Sequence, residues 1–352
     1  MSKSLKLEED CRGFSLLEMM AATAVFLLLI VTVLKMTQAT ADSWSSSTGK
    51  TEGFRDARMA FTTITKAVSQ ATLNTYYDYA DAGGIFRDSA SAGSFTPSRY
   101  QRRSDLHFVT GKSLLQSAVP NSVTGAIFFQ APLGYSRTSS YAEMSGLLNA
   151  CGFYVYYGTD PDTPSQLAGV VPSSKRFRLM QFLQPSENLA IYDASVTGNS
   201  ANWSSTKWFT NALAQSDPPV SQLAENVVAL VVHPKYSERD AAAGTPLSSN
   251  YEYDSRNAAS PETLNQMPPV VEIVLVVIDE VSASRLGDGS SPPNLGLNAL
   301  FQETSKLESD IASLEANLGA LPGNQAGNVI PLRYQIFRTE VALRGSKWST
   351  HQ

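Results

Sequence analysis

The sequence predicts an α+β protein in which a long N-terminal helix packs on an antiparallel β-sheet with long loop insertions. An apolar run from Phe14 to Leu34 and a helical stripe after it indicate the helix. Later runs rich in β-branched and aromatic residues follow one another without regular helices between them, which indicates strands. One helix followed by successive strands favours an antiparallel sheet over a parallel one.

The composition is that of a folded protein. Of the 352 residues, 43% are hydrophobic and 17% are charged, which excludes disordered and low-complexity classes. The net charge of -5 gives no general electrostatic reason to bind nucleic acid. The two cysteines, Cys11 and Cys151, cannot form a disulfide framework, so the core has to supply the stability.

The run from Phe14 to Leu34 is the most informative part of the sequence. It contains no Gly or Pro and a single charge, Glu18. As a helix it is long enough to cross the ~30 Å hydrocarbon core of a bilayer. We therefore predict a leader over residues 1–13 and a membrane-spanning helix over 14–34.

The charges that flank this run predict its orientation. Lys3, Lys6 and Arg12 precede it, whereas Lys35 alone follows it closely. Lys and Arg are retained on the cytoplasmic side, so the N-terminus is expected in the cytoplasm and the rest of the chain outside it. Residues 39–41, Ala-Thr-Ala, also resemble a signal-peptidase site, and cleavage before Asp42 stays open as an alternative.

Glu18 is unusual because a carboxylate in a spanning segment costs a few kcal/mol unless it has a partner. A cut between Gly13 and Phe14 would create a chain that begins with an ammonium group and has Glu18 as its fifth residue. In a bundle of parallel helices, the ammonium of one chain could pair with Glu18 of the next. The alternative is that Glu18 reaches water at the membrane edge.

The sequence Gly13-Phe14-Ser15-Leu16-Leu17-Glu18 and the apolar run after it resemble the class III signal of type IV pilins and type II secretion pseudopilins. The resemblance implies that a prepilin peptidase cuts between Gly13 and Phe14 and N-methylates Phe14. It also implies that Glu18 aligns incoming subunits during filament assembly. The leader departs from the family pattern, since its net charge is zero where pilin leaders are usually basic.

The resemblance implies a minor, pseudopilin-like subunit in a type IV pilus-like or type II secretion-like filament, because the chain is bulky for a repeating major subunit. Its partners would be the prepilin peptidase, other pilin or pseudopilin subunits, the assembly platform in the inner membrane and, before assembly, the lipid bilayer. The helix-then-strands order is similar to the J-type minor pseudopilins. Residues 54–79, 267–281 and 334–348 are also similar to the prepilin-like Verru_Chthon cassette proteins, type C.

The second half of the helix is predicted over residues 35–79. A stripe of heptad type favours a helix that continues to about Tyr77, and any break is expected in the Ser-, Thr- and Gly-rich stretch from Asp42 to Gly53. Packing on the chain's own sheet is favoured over a coiled coil because the stripe covers fewer than three heptads. Its members are Phe54, Ala57, Phe61, Ile64, Val68 and Ala71.

Residues 80–352 are predicted to form the β-rich head. Val227–Val232 and Val270–Ile278 are almost continuously apolar and predict central strands. Leucine and isoleucine at 307, 311, 314 and 318 predict an amphipathic helix that packs on its own domain, with docking to a partner as the alternative. The strand-like runs are 106–110, 126–130, 152–157, 177–183, 227–233, 270–279 and 334–343, and the long insertions are 80–104, 159–174, 240–269 and 282–297.

The sequence carries no recognisable catalytic motif. Its three histidines are far apart and match no zinc motif, and His107 and His233, which lie in predicted strands, are interpreted as structural. Neither Gly-Lys-Ser/Thr tripeptide has the preceding glycine that a phosphate-binding loop needs. Asp160, Asp162 and Asp288 could supply oxygen ligands to calcium, but short acidic turns are usually turns alone. We therefore expect no enzyme activity, no cofactor and no metal.

One basic and aromatic cluster remains, at Arg99, Tyr100, Arg102 and Arg103. Such a cluster can bind single-stranded nucleic acid, but we interpret it as a solvated loop and expect no nucleic-acid partner. Two other function classes stay open. The chain could be an exported binding protein held by an uncleaved helix, or an exported enzyme whose site is gathered from the long loops.

Overall fold

The structure, a computed structural model, describes residues 16–87, 93–141, 143–160, 174–193, 205–242, 244–257, 259–287, 289–320 and 331–349. For residues 42–53 it describes the helical backbone and not the side chains. The chain divides into two compact units between Lys50 and Thr51. An α+β architecture with a long apolar N-terminal helix and antiparallel sheets is confirmed.

Helix α1 comprises Leu16–Ser69. Its first part is rich in Ala, Leu and Met, which are strong helix formers. The threonines there donate hydrogen bonds to backbone carbonyl oxygens of the preceding turn. The Thr32 hydroxyl, for example, donates to the Leu28 carbonyl oxygen at 2.8 Å. A Thr side chain therefore carries no unpaired donor into apolar surroundings.

The prediction that the helix continues to about Tyr77 is wrong. The last turn tightens, because the Ala71 amide donates to the Val68 carbonyl oxygen at 3.0 Å. The Thr72 amide then donates to the Gln130 carbonyl oxygen at 2.9 Å, and this bond turns the chain into a β-bridge. Strand β1 follows at Tyr76–Ala80 and pairs antiparallel with β2, Arg99–Arg103, in a hairpin.

In the second unit, the apolar stripe of α1 packs on the chain's own β-sheet, as predicted. Ala57, Ile64 and Val68 are fully buried. The ring of Phe61 contacts that of Phe337, with 5.7 Å between their centroids. Because these side chains are already covered by their own domain, the described contacts support the intramolecular packing and not the coiled coil.

Phe337 belongs to a sheet of order β11-β10-β8, in which both pairs are antiparallel. Its strands are β8, Val227–Lys235, β10, Val270–Ile278, and β11, Tyr334–Ala342. The prediction of a central strand is confirmed for β10 and wrong for β8, which lies at the edge of this sheet. Strand β8 is buried along its length all the same. It lies beside strand β4 (Ser122–Pro132), where Thr124 accepts a hydrogen bond from the Leu230 amide at 3.1 Å.

Among the described residues, the second sheet has the order β7-β6-β5-β4-β3-β9 and is antiparallel throughout. Its inner face is aromatic, and the ring of Phe128 stacks on that of Phe209 at 4.0 Å between centroids. Gly152 is required beside it, because a Cβ atom there would lie 2.2 Å from Cδ1 of Phe128. The remaining strands are β3, Val109–Gly111, β5, Leu148–Gly158, β6, Arg176–Gln184, β7, Val220–Glu225, and β9, Tyr253–Asp254.

Three further helices cover the sheets in the described part of the second unit: α2, Lys207–Leu213, α3, Glu280–Leu286, and α4, Leu307–Gly319. Helix α3 is capped by Asp279, whose carboxylate accepts the Ser282 amide at 2.8 Å. Helix α4 is the predicted amphipathic helix. Its apolar residues Leu307, Ile311, Leu314 and Leu318 are buried in the head, so its apolar face is used within the chain.

Candidate functional site

The predicted processing site is described only from its C-terminal side. Gly13 and Phe14 lie outside the described residues. Glu18 lies in the first turn of the described part of α1, and its side chain is exposed.

All residues from Leu16 to Ala41 are exposed, although this segment is apolar. Leu16 and Leu17 expose 79% and 77% of their surface. Among the described residues, this is the one helical segment long and apolar enough to cross a membrane. An exposed, largely apolar surface of this length is far larger than a soluble protein normally leaves in water, and it is consistent with a segment that a bilayer or other helices cover.

His107, which the sequence placed in a strand as a structural residue, is completely buried. Its Nδ1 atom accepts a hydrogen bond from Nε1 of Trp208 at 3.1 Å, and its Nε2 atom lies 2.8 Å from the Asp254 carboxylate. Burial lowers the pKa of His107 below its ordinary value of 6.5, although the Asp254 hydrogen bond and charge oppose this effect. The imidazole is therefore neutral, and its two nitrogens hold the segment before β3 to α2 and β9. The prediction that His107 lies in a strand is wrong, since β3 begins only at Val109.

His233 belongs to a second polar group, centred on the buried carboxylate of Glu272. Oε2 of Glu272 lies 2.7 Å from Nζ of Lys235 and 3.2 Å from Nδ1 of His233, and Oε1 accepts from Nε of Arg338. Burial alone would raise the pKa of Glu272, but these three donors lower it to about 2. The carboxylate is thus held charged between the strands β8, β10 and β11.

This ionic group extends to the surface on two sides. Lys235 also lies 2.8 Å from Glu340, and Nη1 of Arg338 lies 2.6 Å from Glu308 of helix α4. The Arg338–Glu308 pair joins α4 to the sheet, whereas the Lys235–Glu340 pair links two strands within it. The pairing across three strands follows from the register.

Two further groups that could serve chemistry, Cys151 and Lys112, are also inert or engaged. Burial raises the pKa of the Cys151 thiol to about 12, which leaves it unreactive at neutral pH. The Lys112 ammonium donates to the carbonyl oxygens of Leu297, Asn298 and Leu300 and so fastens a loop. Within the described ranges, no group of three or more His, Cys, Asp or Glu side chains could hold a metal ion. Asp162 and Asp288 lie outside those ranges.

The basic and aromatic cluster is not a loop as expected, although Arg99 and Tyr100 are exposed. Residues 99–103 form strand β2, and the β1–β2 register places Tyr77 opposite Arg102 and Tyr79 opposite Tyr100. The ring of Tyr100 packs on those of Tyr77 and Tyr79, with centroids 5.6 Å and 5.2 Å apart. Arg102 is only 7% exposed, and it lines a cavity of about 220 Å³.

The sequence matches no protein-family model, and no curated protein matches it. Among solved structures, the chain is similar to a type IV-like pilin from Thermus thermophilus, with 10% sequence identity and a TM-score of 0.32. That alignment covers 83% of this chain and 95% of the pilin. A similarity this weak carries no argument about function, which has to rest on the residues themselves.

Proposed function

We propose that the chain is a minor subunit of a type IV pilus-like or type II secretion-like filament. The observation that carries the proposal is the fully exposed apolar segment from Leu16 to Ala41, in which Glu18 lies near the start. This segment continues directly from the Gly13-Phe14-Ser15 sequence that resembles a prepilin cleavage site. The narrower similarity to Verru_Chthon cassette proteins of type C belongs to the same proposal.

Before assembly, the bilayer covers the apolar segment. The leader lies on the cytoplasmic side of a bacterial inner membrane and the head on the periplasmic or extracellular side, in accordance with the charges that flank the segment. A prepilin peptidase removes residues 1–13, and Phe14 becomes the methylated N-terminus. The assembly platform of the inner membrane then extracts the subunit.

In the filament, helices of neighbouring subunits replace the lipid around the apolar segment. The N-terminal ammonium of one subunit pairs with Glu18 of its neighbour, which compensates a carboxylate that is otherwise costly in apolar surroundings. The role of the chain is then assembly and contact, not catalysis. The structural hydrogen bonds and ion pairs of His107, Glu272 and Lys112 support this part of the proposal.

Glu18→Ala tests the proposal in the native host. Removing one partner of a buried charge pair costs about 3–5 kcal/mol. We expect the variant to be processed normally but to fall at least tenfold in sheared filament fractions. The matched control is Thr23→Ala, which changes another exposed position of the same helix. Equal recovery of Glu18→Ala and wild type in filaments would contradict the assembly role of Glu18.

A further inference from the structure

The cavity beside the β1–β2 hairpin combines apolar walls with unpaired polar groups. Leu73 and Met267 supply apolar surface, Arg102 and Asn265 supply polar groups, and Tyr77 and Lys347 complete the lining near solvent. At about 220 Å³ it is smaller than the 300–1,000 Å³ of sites for drug-sized ligands. The space suits a small ligand or one terminal group of a larger ligand.

Arg102 is the central group of this cavity. Its Nη1 and Nη2 atoms are buried and have no hydrogen-bond partner among the described residues. Its neighbour Arg103, by contrast, pairs with Asp78 at 2.8 Å. Burying an unpaired guanidinium is costly, and its fork of donors matches the two oxygens of a carboxylate. Because both nitrogens are covered, binding a ligand in the cavity requires the Arg102 side chain to turn toward it, and the turn breaks no hydrogen bond of these two nitrogens.

Asn265 has an unpaired acceptor, whereas Arg102 has unpaired donors. Its Nδ2 atom donates to the backbone carbonyl of Arg102 at 2.8 Å, which fixes the amide beside the arginine. Its Oδ1 atom is buried and has no hydrogen-bond partner among the described residues. A ligand that pairs with both residues therefore offers an acceptor to Arg102 and a donor to Asn265. A bare phosphate or sulfate offers no donor when fully ionised.

We propose that this cavity binds a carboxylate that has an N–H or O–H donor beside it and a short apolar side group, with Arg102 as the carboxylate-binding residue. N-acylated amino acids and the C-terminal residue of a polypeptide share this chemistry. Leu73 and Met267 contact the side group, and Lys347 adds positive charge near solvent. The site belongs to the second compact unit and does not depend on the proposed filament role.

The test is calorimetric titration of the detergent-solubilised full chain with N-acetylleucine, and with a hexapeptide that ends in leucine. N-acetylleucinamide and the amidated hexapeptide serve as controls without a carboxylate. We expect saturable binding of at least one acid and none of the amides. Binding of N-acetylleucine identifies free small acids as sufficient ligands, whereas binding of the peptide alone identifies a polypeptide end. Failure of both acids, or equal binding of the amides, would overturn the proposal.

Two variants locate the binding at Arg102. Arg102→Met removes the charge but keeps an unbranched apolar stem, so we expect a folded protein and at least tenfold weaker binding. Arg103→Met, at the adjacent exterior position, should leave the affinity within twofold. Unchanged affinity in Arg102→Met would overturn the assignment. If that variant does not fold, Arg102→Lys answers the same question, because it keeps the charge and loses the fork.

Discussion

Glu272 shows how a single buried residue depends on its neighbours in the head. Its carboxylate is 2% exposed and receives bonds from Lys235, His233 and Arg338. Its folded-state pKa of about 2 lies below the ordinary value of 4.5. Its contribution to the free energy of unfolding is therefore fully present above about pH 4.5 and is lost as the pH falls toward 2.

Glu272→Gln should lower the free energy of unfolding by about 3 kcal/mol at pH 7, because it leaves Lys235 and Arg338 without their buried counter-charge. Thermal or urea unfolding of the full chain in detergent measures this loss. The same variant should show a weaker pH dependence between about pH 4.5 and 2. Glu340→Gln is the control, since the Glu340 side chain is 58% exposed and its pairing with Lys235 is worth ~1 kcal/mol or less. Equal losses in the two variants would contradict the central role of Glu272.

For single residues, the sequence predicted the structural role of a side chain better than it predicted the hydrogen-bond partners of that side chain. His107 and His233 were expected to be structural, and both are buried in hydrogen-bonded groups. Their partners could not be predicted, because Asp254 and Trp208 lie 147 and 101 residues away from His107 along the chain. The burial of Arg102 was missed for a similar reason, since an arginine in a polar run gives no signal that a distant loop covers it.

Among the elements, the second half of α1 is held by packing on the sheet of β8, β10 and β11. Phe61 contacts Phe337 of this sheet, and Ile64, on the same stripe, is fully buried. Ile64→Ala should lower the free energy of unfolding by about 2–5 kcal/mol through lost burial and the cavity that remains. Thr63→Ala, at the exposed neighbouring position, should change it by no more than about 0.5 kcal/mol. Equal effects in the two variants, measured by urea unfolding, would show that the stripe does not carry the contact.

The strands that the sequence predicted are the strongly apolar ones, and those that it missed are short, polar or partly exposed. Strands β4, β5, β6 and β8 contain their predicted runs, and β10 and β11 each end one residue before theirs. Strand β3 shares only Val109 and Thr110 with the predicted run 106–110. Strand β2 reads Arg-Tyr-Gln-Arg-Arg and has no apolar signal, and β9 is only two residues long. The predicted end of the helix was too late because the apolar stripe continues to Ala71, past the last helical residue, Ser69. The hydrogen bond from Thr72 to Gln130 that follows joins distant parts of the chain, so the local sequence does not reveal it.

For the molecule as a whole, the apolar segment and the head place different demands on their surroundings. The residues from Leu16 to Ala41 are all exposed and require lipid or other helices. The second unit, which begins at Thr51, has its own extensive core in two antiparallel sheets. The sequence predicted a long apolar helix and a β-rich head, and both features occur equally in a filament subunit and in a protein that is merely anchored.

The N-terminus of the mature protein distinguishes these classes most directly. We would measure the intact mass of the protein from its native host and sequence its N-terminal peptide by mass spectrometry. The account predicts a chain that begins at Phe14 with one added N-methyl group. A chain that begins at Met1 would indicate an uncleaved anchor, and one that begins at Asp42 would indicate ordinary signal cleavage; either result would contradict the proposal of a processed filament subunit.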